Sequence, residues 1–433
     1  MTIHSFNNAI SMSGGILSAS LLALVYGCSS SSSSATGTDA STDTGSSTEE
    51  DASVGTDGSS AAETSTVSDA RAPLETGATD ASDAAAVPFE VVTQANLISD
   101  TEGGAPFVDP KLTVAWGLAF PGSAAGATAW ISETGTNLLS VYSGKTTPPY
   151  STESFAVAVP TNDAGAAPGP TGQIFNPDST AEDGAVGAFD GDLFLASDAN
   201  GTVAAWQKAD GTTTATATAV IRINESGSGA VFTGLAILPT TPPELAVADL
   251  HNNSIWLYDE TYTSITAAAG TWTDPSIPTG YAPYNIVVSG SNVYVAYAKK
   301  PTGGGPIAAV GAGNGAVSVF TPSGTLVKSL IPAGGALNAP WGLAVVPAGG
   351  WGALTAGTLL VGNFGSGWVG AFDPTAGTLL DWLGTSSTQA LTIGGLWALE
   401  FLSSTTDAGT SSVLYFTAGG DPSGVFGYLT PAP

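Results

Sequence analysis

Trp341-Gly342-Leu343-Ala344-Val345 is the clearest copy of a phrase that returns along the chain. It recurs as Trp116-Gly117-Leu118-Ala119-Phe120, Thr233-Gly234-Leu235-Ala236-Ile237, Tyr284-Asn285-Ile286-Val287-Val288 and Leu396-Trp397-Ala398-Leu399-Glu400. In chain order the first residues of these five copies are separated by 117, 51, 57 and 55 positions. The first gap is about twice the others, and Gln173-Ile174-Phe175 lies near its midpoint, so the spacing implies six copies of about 57 residues.

Working outward from each copy, a second pattern follows: two alternating runs joined by a polar turn. These run Ala129 to Ser132 then Leu138 to Tyr142, Leu193 to Ser197 then Thr202 to Trp206, and Leu245 to Ala248 then Ser254 to Tyr258. The last three are Val293 to Ala296 then Ala316 to Phe320, Leu359 to Gly362 then Trp368 to Phe372, and Leu414 to Thr417 then Val425 to Leu429. A fourth strand-like run follows several copies, at Ser154 to Val159, Thr218 to Ile223, Leu326 to Ile331 and Leu379 to Leu383. No stretch carries a sustained 3.6-residue period with helix caps. The fold class predicted is therefore all-β: a six-bladed β-propeller of four-stranded blades. The last copy lacks an outer strand, and the spare strand Phe89 to Ile98 is expected to supply it, closing the ring with strands from both ends. Two packed β-sandwiches are the alternative, which the near-constant repeat spacing disfavours.

The assembled phrases resemble a family of uncharacterised exported bacterial proteins with NHL-like six-bladed propellers. The resemblance covers nearly all of Phe89 to Leu429. It is strongest at Leu337-Asn338-Ala339-Pro340-Trp341-Gly342-Leu343 and Gly362-Asn363-Phe364-Gly365, with further matches at Asn96-Leu97-Ile98-Ser99-Asp100 and Thr171-Gly172-Gln173. It implies the fold and an exported location, and it brings no established activity.

Composition narrows the partners. The 433 residues include 8 Lys+Arg against 36 Asp+Glu, a formal charge of −28. Phosphate backbones need clustered bases, so nucleic acid is not expected as a partner. One Cys makes no internal disulfide, and two His make no multi-histidine metal cage. The acidity has two sources: 11 acids lie in residues 29–87 and 25 in the segment from Pro88 onward, which holds 7 bases.

The N-terminal segment reads as an address. Gly15 to Gly27 is an apolar run too short to span a bilayer but suited to the core of a signal peptide. Val25-Tyr26-Gly27-Cys28 resembles a bacterial lipobox, so residues 1–28 are expected to be a lipoprotein signal peptide with Cys28 as the lipidation site. Tyr26 is bulkier than that motif prefers, and the leader lacks Lys and Arg. A plain signal peptide cut elsewhere stays open. Residues 29–87, rich in Ser, Thr and Asp, are expected to form a disordered acidic linker, and 88–433 the propeller. The localisation expected is extracytoplasmic, lipid-anchored to the cell envelope at the outer membrane or cell surface.

In such a propeller, the turns between second and third strands share a face with the connections entering each innermost strand. That face should carry Glu133, Asn137, Asp198, Asn200, Asp249, His251, Asn252, Asn338 and Asn363, with Glu225 nearby. Oxygen-rich side chains at a channel mouth suit Ca²⁺ or Mg²⁺, and Glu133, Asp198, Asp249 and Asn363 are the metal candidates. His251, the one histidine outside the leader, is the candidate general base. Asp and Asn are equally what tight turns require. Gly-Asp and Asp-Gly pairs, such as Gly191-Asp192 in Phe189-Asp190-Gly191-Asp192, resemble fragments of a Ca²⁺ loop without the full spacing. Repeated Trp116, Trp341 and Trp397 read as core between blades. Two functions follow. One is a binding module for an envelope protein or glycan. The other is a divalent-metal-dependent propeller hydrolase or lyase of the lactonase kind, with its site at the channel mouth. Whether the chain is an enzyme stays open at this level.

Overall fold

The computed structural model describes residues 89–122, 128–142, 152–161, 169–179, 187–207, 216–402, 413–420 and 423–433. The leader, Cys28 and the acidic linker lie outside the described residues. Within them the chain is all-β, with twenty-seven strands and two single-turn 3₁₀ segments.

Strands β1 (Phe89–Ser99) and β2 (Phe107–Val108) precede the repeats. Each repeat then folds as an antiparallel meander. β3 (Ala115–Ala119), β4 (Ala129–Glu133), β5 (Leu138–Tyr142) and β6 (Thr152–Ala158) come first, followed by β7 (Pro170–Phe175), β8 (Phe194–Asp198) and β9 (Thr202–Trp206). The run expected as one outer strand from Thr218 divides in two. β10 (Thr216–Thr218) pairs in parallel with β6, and β11 (Val220–Asn224) completes the β7 sheet. Two more four-stranded sheets follow: β12 (Phe232–Leu238), β13 (Glu244–Asp249), β14 (Ser254–Tyr258) and β15 (Ser264–Ile265), then β16 (Tyr281–Ser289), β17 (Asn292–Lys299), β18 (Gly315–Phe320) and β19 (Leu326–Ile331).

The last repeats are β20 (Pro340–Val345), β21 (Leu359–Asn363), β22 (Val369–Phe372) and β23 (Leu379–Ser386) with the short β24 (Gln389–Ala390), and β25 (Leu396–Leu402), β26 (Val413–Ala418) and β27 (Val425–Pro431). β1 supplies the strand the last repeat lacks, pairing antiparallel with β27 from Val92↔Pro431 to Ser99↔Val425. Its first three residues run parallel to β23, so the last two repeats share one ten-stranded sheet.

Each copy of the repeated phrase forms the first strand of its sheet, and these first strands meet in a closed cycle. β3 touches β7, β7 touches β12, β12 touches β16, β16 touches β20, β20 touches β25, and β25 touches β3. The glycine of the phrase permits this approach. A Cβ on Gly117 would stand 2.5 Å from the carbonyl oxygen of Thr171, and one on Gly342 equally close to that of Trp397. Polar side chains then tie neighbouring strands. Thr171 donates to the carbonyl of Phe232 at 2.9 Å, Thr233 to that of Tyr284 at 2.9 Å, and Asn285 to that of Trp341 at 2.9 Å. Thr417 joins the last sheet to the first through the carbonyl of Trp116 at 2.5 Å.

Inside the cycle the aromatic residues of the phrase form a plug, as the core reading of the tryptophans expected. Trp116, Tyr284 and Trp397 are fully buried and Trp341 nearly so. Trp116 stacks on Trp397, while Trp341 and Tyr284 meet both edge-on. Trp341 also donates through its indole N–H to the carbonyl of Thr233 at 2.9 Å, tying two non-adjacent strands of the cycle.

Candidate functional site

Four of the expected side chains occupy the same place in four sheets. Glu133, Asp198, Asp249 and Asn363 are the last residues of β4, β8, β13 and β21, each opposite the start of its first strand, at Ala115, Pro170, Phe232 and Pro340. All four are buried. The position explains the residue type: the tight turn that follows leaves backbone N–H groups needing an acceptor.

Asp249 serves most donors. One carboxylate oxygen accepts the backbone N–H of Val231, His251 and Asn252 at 3.1, 2.9 and 3.1 Å. The other accepts the Asn252 amide at 2.8 Å and the Trp256 indole N–H at 2.9 Å. Asp198 accepts the N–H of Asn200 at 2.8 Å, and burial raises its pKa to about 6. Asn363 accepts the N–H of Asn338 at 2.8 Å and donates to the Trp368 carbonyl at 3.1 Å. Asn338 in turn accepts the N–H of Gly311. Asn137 turns the chain with φ +59° and donates to the carbonyl of Val159. His251 is exposed on its turn, where its carbonyl accepts the Lys300 ammonium at 2.8 Å, and Glu225 accepts the Tyr258 hydroxyl at 3.3 Å. Among the described residues no three of His, Cys, Asp and Glu gather where a metal ion would be held. Asp192 of the Ca²⁺-loop fragment is clasped by Arg222 through two N–H groups at 2.7 and 2.9 Å and by the Tyr262 hydroxyl at 2.7 Å.

Glu133 differs from the other three. Its carboxyl takes the Thr136 hydroxyl at 2.8 Å and lies 2.9 Å from the Tyr142 hydroxyl, which is 3.2 Å from Asp109. A phenol has one proton for two carboxylates, and below about pH 7 a neutral Glu133 supplies the second. Burial accounts for that proton: it raises the Glu133 pKa to about 7, against hydrogen bonds that lower it, with Asp109 adding a smaller push upward.

Beyond the aromatic plug, toward the C-terminal ends of the first strands, lies a cavity of about 710 Å³. All six strands of the cycle line it, mostly with aliphatic side chains. Matching registers, Ala115↔Glu133 and Leu118↔Ile131 against Leu396↔Ala418 and Leu399↔Phe416, place Trp397 level with Trp116 and Glu400 level with Ala119. Glu400 is thus an acid at a place that Ala236 and Ala344 hold in other sheets. It accepts the backbone N–H of Phe120, and enclosure by the cavity wall raises its pKa to about 8. Gln173 accepts the Ser132 hydroxyl at 3.0 Å, and its buried amide nitrogen has no partner. With the last phrase aligned on Leu396, Glu400 falls on its final position and does not stand out in the sequence. Aligned on its tryptophan, Trp397-Ala398-Leu399-Glu400-Phe401 shows the acid against Trp116-Gly117-Leu118-Ala119-Phe120.

No protein-family model matches the chain. Curated relatives are uncharacterized proteins of Acanthamoeba polyphaga mimivirus. R648 is 37% identical over 35% of this chain and 37% of its own length, and L690 is 33% identical over 34% of this chain and 38% of its own. The chain thus spans little more than a third of these relatives. They are viral, whereas the family the phrases resemble is bacterial. Among solved structures, a calcium-binding regucalcin from Agrobacterium tumefaciens is 14% identical, covering 79% of this chain and 96% of that one, with a TM-score of 0.46. A luciferin-regenerating enzyme is 13% identical, covering 74% of this chain and 92% of that one, at 0.45. Such likenesses carry neither ligand nor activity to this chain.

Proposed function

We propose that the chain is a six-bladed β-propeller lipoprotein that binds a protein or glycan at the cell envelope. In this reading residues 1–28 are the leader, acylated Cys28 is the anchor, 29–87 the tether and 88–433 the propeller. The observation that carries the binding reading is the rim of Glu133, Asp198, Asp249 and Asn363. Their oxygens hold the turns of four of the repeats in place, three of them consecutive, building a fixed surface. A metal-dependent hydrolase would need the same oxygens released from those turns toward a common ion.

Full-length protein immobilised through its C-terminus and incubated with envelope extract is expected to retain a partner above bare resin. Retention of nothing overturns the binding reading. Chelation that lowers both the melting temperature and turnover of a lactone panel would favour the hydrolase instead. Cys28→Ser is expected to abolish incorporation of labelled palmitate and to release the protein from membranes; a wild-type protein that takes up no label contradicts the anchor.

A further inference from the structure

The axial cavity has a chemistry that the rim does not share. The titratable side chains lining it are Glu400 and Asp178, both acids, and neither Lys, Arg nor His lines it among the described residues. At the level of Glu400 the cycle otherwise presents Ala119, Ile174, Ala236, Val287 and Ala344. One carboxyl therefore stands in an apolar ring with the Phe120 N–H as a donor and without a counter-charge. Opposite it in register is Tyr415, whose buried hydroxyl has no hydrogen-bond partner.

We propose that this cavity binds an organic ammonium ion with an apolar body, the ammonium resting on Glu400. The volume lies in the range of small-molecule sites, roughly 300–1,000 Å³. Aliphatic walls suit a hydrocarbon body, and Phe120, Phe175, Phe401 and Trp341 add rings, whose faces attract cations. An anion would find neutral donors such as the Gln173 amide but no cationic side chain among the described residues, and would face the carboxyls of Glu400 and Asp178. The surplus of 25 acids over 7 bases from Pro88 onward attracts cations toward the molecule.

A proton linkage follows from the enclosure of Glu400. With a pKa of about 8, its carboxyl holds a proton at neutral pH when the cavity is empty. An ammonium ion replaces that proton, so binding releases close to one proton. Tyr415, pushed up to about 12 by burial, stays neutral throughout. The inference goes beyond the envelope-binding reading and concerns a different set of residues, so loss of amine binding would leave partner capture by the rim standing.

The test is calorimetric titration of the full-length protein at pH 7 with 2-phenylethylamine, 2-phenylethanol and 3-phenylpropanoate, in phosphate and in Tris. The amine is expected to bind at least about tenfold more tightly than the alcohol, with no heat from the propanoate. Its enthalpy should differ between buffers by the ionisation heat of about one proton. Glu400→Gln keeps the shape of the neutral acid; it should weaken the amine by about tenfold or more, abolish the buffer difference and leave the alcohol unchanged. Equal affinity of amine and alcohol for the wild-type protein, amine binding undiminished in Glu400→Gln, or no amine binding at all overturns the proposal. The wild-type comparison holds whether or not the variant folds.

Discussion

Trp116 and Trp397 stack with ring centroids 3.6 Å apart and planes 17° from parallel, joining the first strand of the first repeat to that of the last. The pair sits where the Thr417 hydroxyl also reaches the Trp116 carbonyl, so ring contact and hydrogen bond close the same seam. Trp397 further donates its indole N–H to the Gly419 carbonyl at 3.1 Å. Trp397→Ala removes the ring stack and the indole hydrogen bond from a fully buried site, leaving the Thr417 bond in place, and should cost about 3–5 kcal/mol. Urea unfolding followed by tryptophan fluorescence measures it; a loss under about 1 kcal/mol would mean that the seam is held elsewhere.

Close approach of the first strands predicts a sharp contrast between glycines. Gly117→Ala places a Cβ against the backbone of Thr171, Gly172 and Gln173, none of which can rotate away. Destabilisation of about 1–3 kcal/mol is expected. Gly227 has open space where its Cβ would go, and Gly227→Ala should stay within about 0.5 kcal/mol of wild type. The two melting temperatures, compared side by side, check the point.

Asp249 accepts five hydrogen bonds, three from its own turn and one each from the Val231 backbone and the Trp256 indole. Asp249→Ala strands buried donors, at a cost of about 1–3 kcal/mol for the unmet groups. If instead this residue serves a bound cation in place of the turn, Asp249→Ala would change the response to chelator and leave the melting temperature in chelator unaltered.

Stability should fall as pH rises from about 4.5 toward 8. Glu133, Asp198 and Glu400 have folded-state values raised to about 7, about 6 and about 8. Between the unfolded carboxylate value and each raised value, the folded state holds a proton that the unfolded state has lost. The stabilisation is therefore complete below about 4.5 and declines through this window, by up to about 1.4 kcal/mol per pH unit for each of the buried Glu133 and Asp198 and by less for the half-buried Glu400. Glu133→Gln should flatten the profile between pH 5 and about 7; melting curves across that interval test it, and an unchanged slope would contradict the protonated Glu133.

The first strands were legible in sequence because their chemistry repeats. Trp341-Gly342 and Trp116-Gly117 each encode an aromatic plug and a close backbone approach, and both recur at a fixed interval. The turn acids were legible as residues but ambiguous as chemistry, because Asp249 looks the same whether it caps a turn or binds a cation. Glu400 was hidden for a different reason. Its meaning depends on standing level with Ala119 and Ala344 across a closed cycle, a level the phrase shows only when aligned on Trp397, which the strand registers establish. The Asp109–Tyr142–Glu133 cluster likewise joins residues from separate segments, with no spacing rule to announce it.

The ring is closed by its own N-terminal strand, with β1 beside β27. Thr93 lies opposite Thr430 in that pair, Thr93 exposed and Thr430 half-buried. Paired residues on neighbouring antiparallel strands have Cα atoms about 4.5–5.5 Å apart, within reach of a disulfide. In a Cys28→Ser background, Thr93→Cys with Thr430→Cys should oxidise to an intramolecular disulfide without loss of the native fluorescence spectrum, and raise the melting temperature. A pair that stays reduced under mild oxidant, or that cross-links between molecules instead, would contradict the closed ring.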